Sequence, residues 1–249
     1  MVALTELVKA ADELLDVSRF RDYAPNGLQL EGKSEVQRIV SGVTASQALI
    51  DAAIAENADA ILVHHGWFWK GEDQRIVGMK KNRVKALLLN DISLIGYHLP
   101  LDAHPELGNN AQLAKRFGFI REGAMNKEGV GDYGHLAEAL SVYELAQTIQ
   151  KSLSRTPTVV VAGEHKIKTV AWCTGGAQSY IEQAIELGVD AFVSGEISEQ
   201  TTHLARENSV HYFAAGHHAT ERYGAPALGE HLAEKFGLEH TFIDIDNPA

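Results

Sequence analysis

The chain has a single cysteine, Cys173, in 249 residues. An intramolecular disulfide is therefore excluded, and a reducing cytoplasm is the expected compartment. Positive charge is also scarce: 22 Lys and Arg stand against 33 Asp and Glu, a formal balance of −11. That deficit argues against a protein that grips nucleic acid or an anionic membrane. It leaves room for a locally positive pocket, because bound cations are often the largest charges in a site. Long apolar runs are missing as well. Ala58–Val63 and Val84–Leu89 are cut off by His64-His65 and Asn90-Asp91, far short of the roughly 20 residues of a membrane span. The first residues place Leu4, Leu7, Val8, Ala11, Leu14 and Leu15 at helical spacing with Glu6, Asp12, Glu13 and Asp16 among them. That pattern predicts an amphipathic helix and not a secretion signal.

What is present is 45% apolar residues, enough for one large α/β domain or two small ones. Arg38–Val43 and Ala58–Val63 read as strands flanking a helix over Ser46–Asn57, a βαβ unit. Lys168–Cys173, Ser179–Leu187 and Val189–Ser194 repeat that plan, and the two align without gaps when Asp59 is set on Asp190, an offset of 131 (190 − 59). Further on, "IGYHLPLDAHPELGNNAQLAKRFG" lies over "AAGHHATERYGAPALGEHLAEKFG" at an offset of 119 (217 − 98), which puts His98 on His217 and Asp102 on Glu221. The chain is read as two homologous α/β domains, residues 1–120 and 121–249, related by an internal pseudo-repeat. The offset falls from 131 to 119, so the first half carries a longer link between its repeated parts, Gly66–Asn90, with Trp67, Phe68 and Trp69. Residues 121–166 are expected to connect the halves and add a strand or two.

Ligands in open α/β sheets collect at the carboxyl ends of strands. His64-His65, His98 with Asp102, Glu196, and His217 with Glu221 all fall at or just past predicted strand ends, and pseudo-symmetry is expected to bring the two sets face to face with a metal site between them. Imidazole and carboxylate without thiolate suit Zn, Mn, Fe, Co or Ni. Neighbouring side chains of a strand point to opposite faces, so His64 and His65 are read as holding one ion each. A carboxylate four residues after a histidine shares its face of a helical turn, which lets Glu221 bridge two ions while His217 binds one. Two ions about 3.5–4 Å apart hold a hydroxide nucleophile and polarise the bond it attacks. His98 and His218, beside these positions, are read as groups that orient ligands or transfer protons.

Blander readings stand beside these. A lone H-x-x-x-E pair is commonly a solvated helix face, and Gly175-Gly176 before a helix is more often a tight turn than a phosphate cradle. Cys173 reads as strand core. His104, His135, His165, His203, His211, His231 and His240 read as surface or capping groups. Trp67, Phe68 and Trp69 stay open between a wall that stacks on a base or pterin and a contact with another subunit.

With "DYAPNGLQLEG" (22–32), "GVTAS" (42–46), "VHHG" (63–66), "HLPLDAHPELGNN" (98–110), "SGEISEQ" (194–200) and "GHHATER" (216–222), the chain closely resembles the NIF-three-like family, whose bacterial members are often labelled GTP cyclohydrolase 1 type 2. The resemblance implies a two-domain α/β subunit, a toroidal homohexamer and a centre of two divalent metal ions. By motif, it implies His65 and Asp102 on one ion, His64 and His217 on the other, and Glu221 bridging both. The label implies opening of the guanine imidazole ring of GTP with release of formate. A two-metal centre serves phosphoester or amide hydrolysis equally well. Three readings follow: a hydrolase of a small nucleotide-like or pterin-like molecule, a phosphatase or nucleotidase on the same centre, or a metal-binding ring whose role is scaffolding or regulation.

Overall fold

In the computed structural model, which describes all 249 residues, a short strand β1 (Val2–Ala3) leads into helix α1 (Leu4–Leu14), whose apolar face buries Leu4, Leu7 and Ala11. Strand β2 (Gly27–Leu30) follows, then β3 (Glu35–Val36), which pairs antiparallel with β1. Next come β4 (Arg38–Thr44), α2 (Gln47–Ala55), β5 (Ala60–His65), α3 (Gly78–Leu89) and β6 (Ser93–Gly96). β4, β5 and β6 are parallel neighbours, and their near-continuous apolar runs are what a sheet covered on both faces requires. Ser46 caps α2 by accepting the Leu49 N–H at 3.3 Å, and α2 buries Leu49, Ile50 and Ala53 against Val40, Ile61 and Val63. Helix α4 (Leu99–Ala103) then carries the chain out of this unit.

The second unit runs through α5 (Asn109–Phe117), the hairpin strands β7 (Phe119–Ala124) and β8 (Asp132–Leu140), α6 (Val142–Leu153) and β9 (Thr158–Val160). It continues with β10 (Ile167–Cys173), α7 (Ile181–Leu187), β11 (Ala191–Ser194), α8 (Glu199–Glu207), β12 (His211–Ala214) and α9 (His217–Thr220). Its six strands lie in the order β7-β8-β10-β11-β12-β9, where β10, β11 and β12 pair parallel and the other neighbouring pairs are antiparallel. Trp172, Val193 and Phe213 pack there with Leu145, Ile149 and Leu153 of α6. The chain finally returns to the first unit as α10 (Gly224–Phe236) and β13 (Glu239–Phe242). β13 pairs parallel with β4, giving the first unit the order β13-β4-β5-β6-β2. No helix is long and apolar enough to cross a membrane.

The pseudo-repeat is reproduced bond by bond. Ile39 faces Ala60 in the first unit and Val170 faces Ala191 in the second, and both pairs are 131 apart (170 − 39, 191 − 60). The third strand keeps the same register at an offset of 118 (211 − 93). One residue more is therefore inserted between strand and helix in the second half, which moves the offset to 119 at His217. That residue is Gly216, with φ +102, a conformation that costs other residues dearly. The repeat also reaches further upstream than the sequence suggests. Gly27 and Leu28 of β2 pair with Gly96 and Ile95, while Thr158 and Val159 of β9 pair with Ala214 and Phe213. So α6 and β9 match α1 and β2, and within 121–166 the added piece is the β7–β8 hairpin.

Compact units and repeat halves do not coincide. The first unit is Met1–Leu101 with Gly224–Asp246, and the second is Asp102–Tyr223 with Asn247–Ala249, instead of the expected 1–120 and 121–249. The reason is that each half's last helix and strand leave the unit that precedes them: α5 and β7 build the second unit, and α10 and β13 complete the edge of β4. Gly229 of α10 makes room for this closure, since a Cβ there would lie 2.3 Å from His240 Nε2, whose ring meets Ser41 Oγ of β4 at 2.8 Å.

Candidate metal centre

In the first unit the parallel strands end at three histidines. His64 and His65 close β5, and His98 follows β6 after Tyr97. Both strand ends are kept thin by glycine: a Cβ on Gly66 or Gly96 would lie 2.2 or 2.9 Å from the Gln29 amide, which itself accepts the Trp67 N–H at 2.7 Å. His64 and His98 are buried and His65 is half-buried. The His64 and His65 rings lie 4.5 Å apart, and a ring nitrogen from each of His64, His65 and His98 falls within 4.8 Å of the others. The two rings thus come together at the strand end, where the pairing with β4 stops at Thr44 and His65.

Hydrogen bonds fix which nitrogen is available. His64 Nδ1 lies 2.9 Å from the Tyr97 carbonyl, an acceptor only, so Nδ1 carries the hydrogen and Nε2 the lone pair. His98 Nδ1 donates to Asp22 Oδ1 at 2.9 Å, with the same consequence. His65 Nδ1 lies 3.2 Å from Thr44 Oγ1. Burial pushes the Asp22 carboxyl up, but hydrogen bonds from His98, Asn26 and the Leu99 N–H outweigh it and hold the group at about 2. Two aromatic rings meet His98 at steep angles, Tyr23 and Trp69, each with its centroid 5.0 Å away. The three residues of "WFW" therefore divide. Trp67 is core, with its indole N–H on the Ala45 carbonyl at 3.0 Å; Phe68 sits half-buried against that core under Lys80; Trp69 lines the histidines.

In the second unit, Asp102 and Glu221 are buried carboxylates whose oxygens come within 4.8 Å of each other. Asp102 Oδ1 accepts from Asn109 at 2.9 Å and from Thr174 at 3.2 Å. Asn110 braces the same loop, receiving the Thr174 N–H at 3.1 Å and giving its carbonyl to the Trp172 indole. His217 Nδ1 donates to Glu196 Oε1 at 2.7 Å, and its Nε2 lies 3.2 Å from Glu221 Oε2. The bond with Glu221 is the largest influence on this imidazole; with Glu196 it outweighs burial and raises the pKa to about 9. Gly175, at φ +67, is essential to the geometry: a Cβ there would stand 2.0 Å from Glu221 Oε1 and 3.1 Å from His217 Nε2. Burial, and then the charges of Asp102 and Glu221, push the Cys173 thiol well up, so it is core and not a nucleophile. His218 is buried next in α9, its N–H on the Ala249 carbonyl at 3.2 Å, and is in none of the clustered donor groups.

The donor sets fit hard or borderline divalent cations. Two buried carboxylates this close repel one another and are stabilised by a cation, while imidazoles whose Nδ1 is pinned by a carboxylate or carbonyl offer Nε2 in the orientation that metal-binding histidines use. Sequence reasoning missed Asp22, Asn109, Asn110 and Thr174. Asp22, Asn109 and Asn110 lie inside the motifs that carried the resemblance, and the unusual density of Asp and Asn in those motifs was the available signal. Two of the remaining histidines also depart from the surface reading: His211 is fully buried and stacks on His165 at 4.1 Å, and His240 is engaged by Ser41.

Known proteins resemble the chain over its whole length. The chain is 57% identical over 251 residues, spanning 100% of it and 99% of the relative, to a Pseudomonas aeruginosa protein named GTP cyclohydrolase 1 type 2 homolog. The Escherichia coli K12 protein of the same name is 56% identical over 246 residues, covering 98% and 99%. Among solved structures, protein ybgI superimposes with a TM-score of 0.97 at 55% identity and full coverage of both chains. A Thermus thermophilus protein reaches 0.92 at 32% identity, again with full coverage of both. The family model for Duf34/NIF3 (NGG1p interacting factor 3) matches residues 2–248, so the repeat, the strand-end histidines and the buried carboxylates are features of a chain that belongs to the Duf34/NIF3 family.

Proposed function

We propose that the protein is a hydrolase dependent on two divalent metal ions, acting on a small nucleotide-like or pterin-like molecule. The observation that carries this reading is the pair of buried carboxylates, Asp102 and Glu221, with oxygens within 4.8 Å and with His217 on Glu221. Such a group of negative charges is built for cations. In this reading His65 and Asp102 would hold one ion, His64 and His217 the other, and Glu221 would serve both. Bound there, the ions would supply Lewis-acid polarisation and an acidified water. The chain's own residues do the rest. Glu196 and the Tyr97 carbonyl orient the imidazoles of His217 and His64, Asn109 and Thr174 orient Asp102, and Trp69 with Tyr23 forms an apolar wall beside the histidines that suits a planar ring. His98 accepts and returns a proton, with His218 as the other candidate for that role. A toroidal homohexamer is the assembly proposed for this subunit.

Metal analysis of the purified chain tests the centre: two ions per chain in the wild type and loss of most metal in Glu221→Ala are expected, and unchanged stoichiometry overturns the assignment. Turnover is tested on protein reconstituted with Mn, Zn, Fe or Co in turn, with His64→Ala as the blank. Formate released from GTP supports ring opening, and phosphate released instead marks a phosphatase or nucleotidase. Metal binding with no turnover of nucleotides, phosphodiesters or cyclic amides above the blank favours a scaffolding or regulatory ring. Light scattering reads the assembly.

A further inference from the structure

The segment Asp22–Asn26 supplies none of the proposed metal ligands, yet it converges on one histidine. The Asp22 side chain is 3% exposed and is saturated with donors. Oδ1 accepts from His98 Nδ1 at 2.9 Å and from the Tyr23 N–H at 2.7 Å. Oδ2 accepts from the Leu99 N–H at 3.0 Å and from Asn26 Nδ2 at 3.0 Å. Asn26 Oδ1 in turn accepts the His98 N–H at 2.7 Å. The loop thus grips both the backbone and the ring of a residue 76 positions away. Tyr23 and Trp69 close on the same ring.

A carboxylate on Nδ1 does two things to an imidazole. It fixes the tautomer, leaving Nε2 with the lone pair, and it stabilises the positive charge that appears when Nε2 takes a proton. His98 has a ring nitrogen within 4.8 Å of those of His64 and His65, close enough to exchange a proton with a water held at that strand end. The geometry points to Asp22 as the positioning residue of a buried Asp–His pair in which His98 Nε2 is the proton acceptor of the hydrolysis. The attacking water's O–H bond breaks as the Nε2–H bond forms; the imidazolium sits against Asp22 until it returns the proton to the leaving group. This inference rests on the hydrolase reading for its role, while the pair itself does not.

Nitrogen-15 spectra of the histidine side chains in metal-free protein read the tautomer directly. The wild type and Asp22→Asn, which keeps an acceptor oxygen but no charge, should show His98 with its hydrogen on Nδ1, and Asp22→Ala should move it to Nε2. A wild-type His98 protonated on Nε2 overturns the pair whatever the fate of the hydrolase reading. Metal content should be unchanged in His98→Ala and Asp22→Asn; loss of an ion in His98→Ala makes His98 a ligand and overturns its role as proton acceptor. With a substrate from the screen above, Asp22→Asn should lower kcat about a hundred-fold, the scale of general-base catalysis, with KM within about two-fold. Wild-type kcat in a folded Asp22→Asn protein shows that the loop is only structural. If no substrate turns over, the hydrolase reading fails and the spectra still decide the pair.

Discussion

Asp59 and Asp190 make the same pair of bonds 131 residues apart (190 − 59). Asp59 Oδ2 accepts the N–H groups of Gln37 and Arg38 at 2.9 and 3.0 Å, and Asp190 Oδ2 accepts those of Lys168 and Thr169 at 2.9 and 2.8 Å. Each ties the start of its unit's first parallel strand to the start of the next, and so sets the register that delivers the strand ends to the site.

A pH dependence follows. Burial pushes both carboxyls up, but it is outweighed by bonds from Lys33, Gln37 and Arg38 at Asp59 and from Thr169 and Lys168 at Asp190, so both lie below the ordinary carboxylate value. A group depressed in the folded state stabilises fully above its unfolded pKa of about 3.9. That contribution is lost as pH falls through the lower folded value. Each Asp→Asn change should cost about 1–2 kcal/mol at neutral pH. Urea unfolding at pH 7 and pH 3 should show the wild-type advantage shrinking at the lower pH; an equal advantage at both would refute the linkage.

Gly175→Ala should abolish metal binding before it abolishes the fold. The added methyl collides with Glu221 Oε1, and the positive φ adds strain of order 1 kcal/mol. Calorimetric titration with Mn or Zn is expected to show loss of high-affinity binding in a protein whose circular dichroism is unchanged. Wild-type affinity would mean that Glu221 is not a ligand.

Glu196→Gln tests the support of His217. Carboxylates that hold a metal-binding imidazole are worth about 10–100-fold in affinity, and Glu196 is 44% exposed, so little stability should be lost. Competition with a chromogenic chelator should read weaker binding of one ion and an unchanged melting temperature.

Trp67 and Trp69 should separate cleanly by substitution. Trp67→Ala empties a core position and should cost about 3–5 kcal/mol in urea unfolding. Trp69→Ala should cost far less, since the ring is only half-buried, and should instead weaken binding of a planar substrate. Equal destabilisation by both would remove Trp69 from the site wall.

Much of this was legible in the sequence because two periodicities and a repeat carry it. The βαβ units follow from apolar runs and helical spacing, and the histidines at the ends of β5 and after β6 follow from them. The match of β2 with β9 was not legible, because Gly27-Leu28 and Thr158-Val159 share no residue; only their pairing partners are equivalent. Nor does "EHTF" announce that it will lie beside β4, since a strand's partner is chosen by the edge left open and not by its own residues. Asp22 escaped because its role depends on a hydrogen bond spanning 76 positions, which no local spacing encodes.

The return of α10 and β13 to the first unit has a consequence in time. During synthesis, the outer edge of β4 has no strand beside it until residues 239–242 emerge, more than half the chain after β4 itself. An open edge of that kind invites pairing with other chains. The nascent protein therefore passes through a long interval in which its N-terminal sheet is unfinished, and a stop codon only a few residues early in β13 should send it to aggregation while every proposed metal ligand is already present.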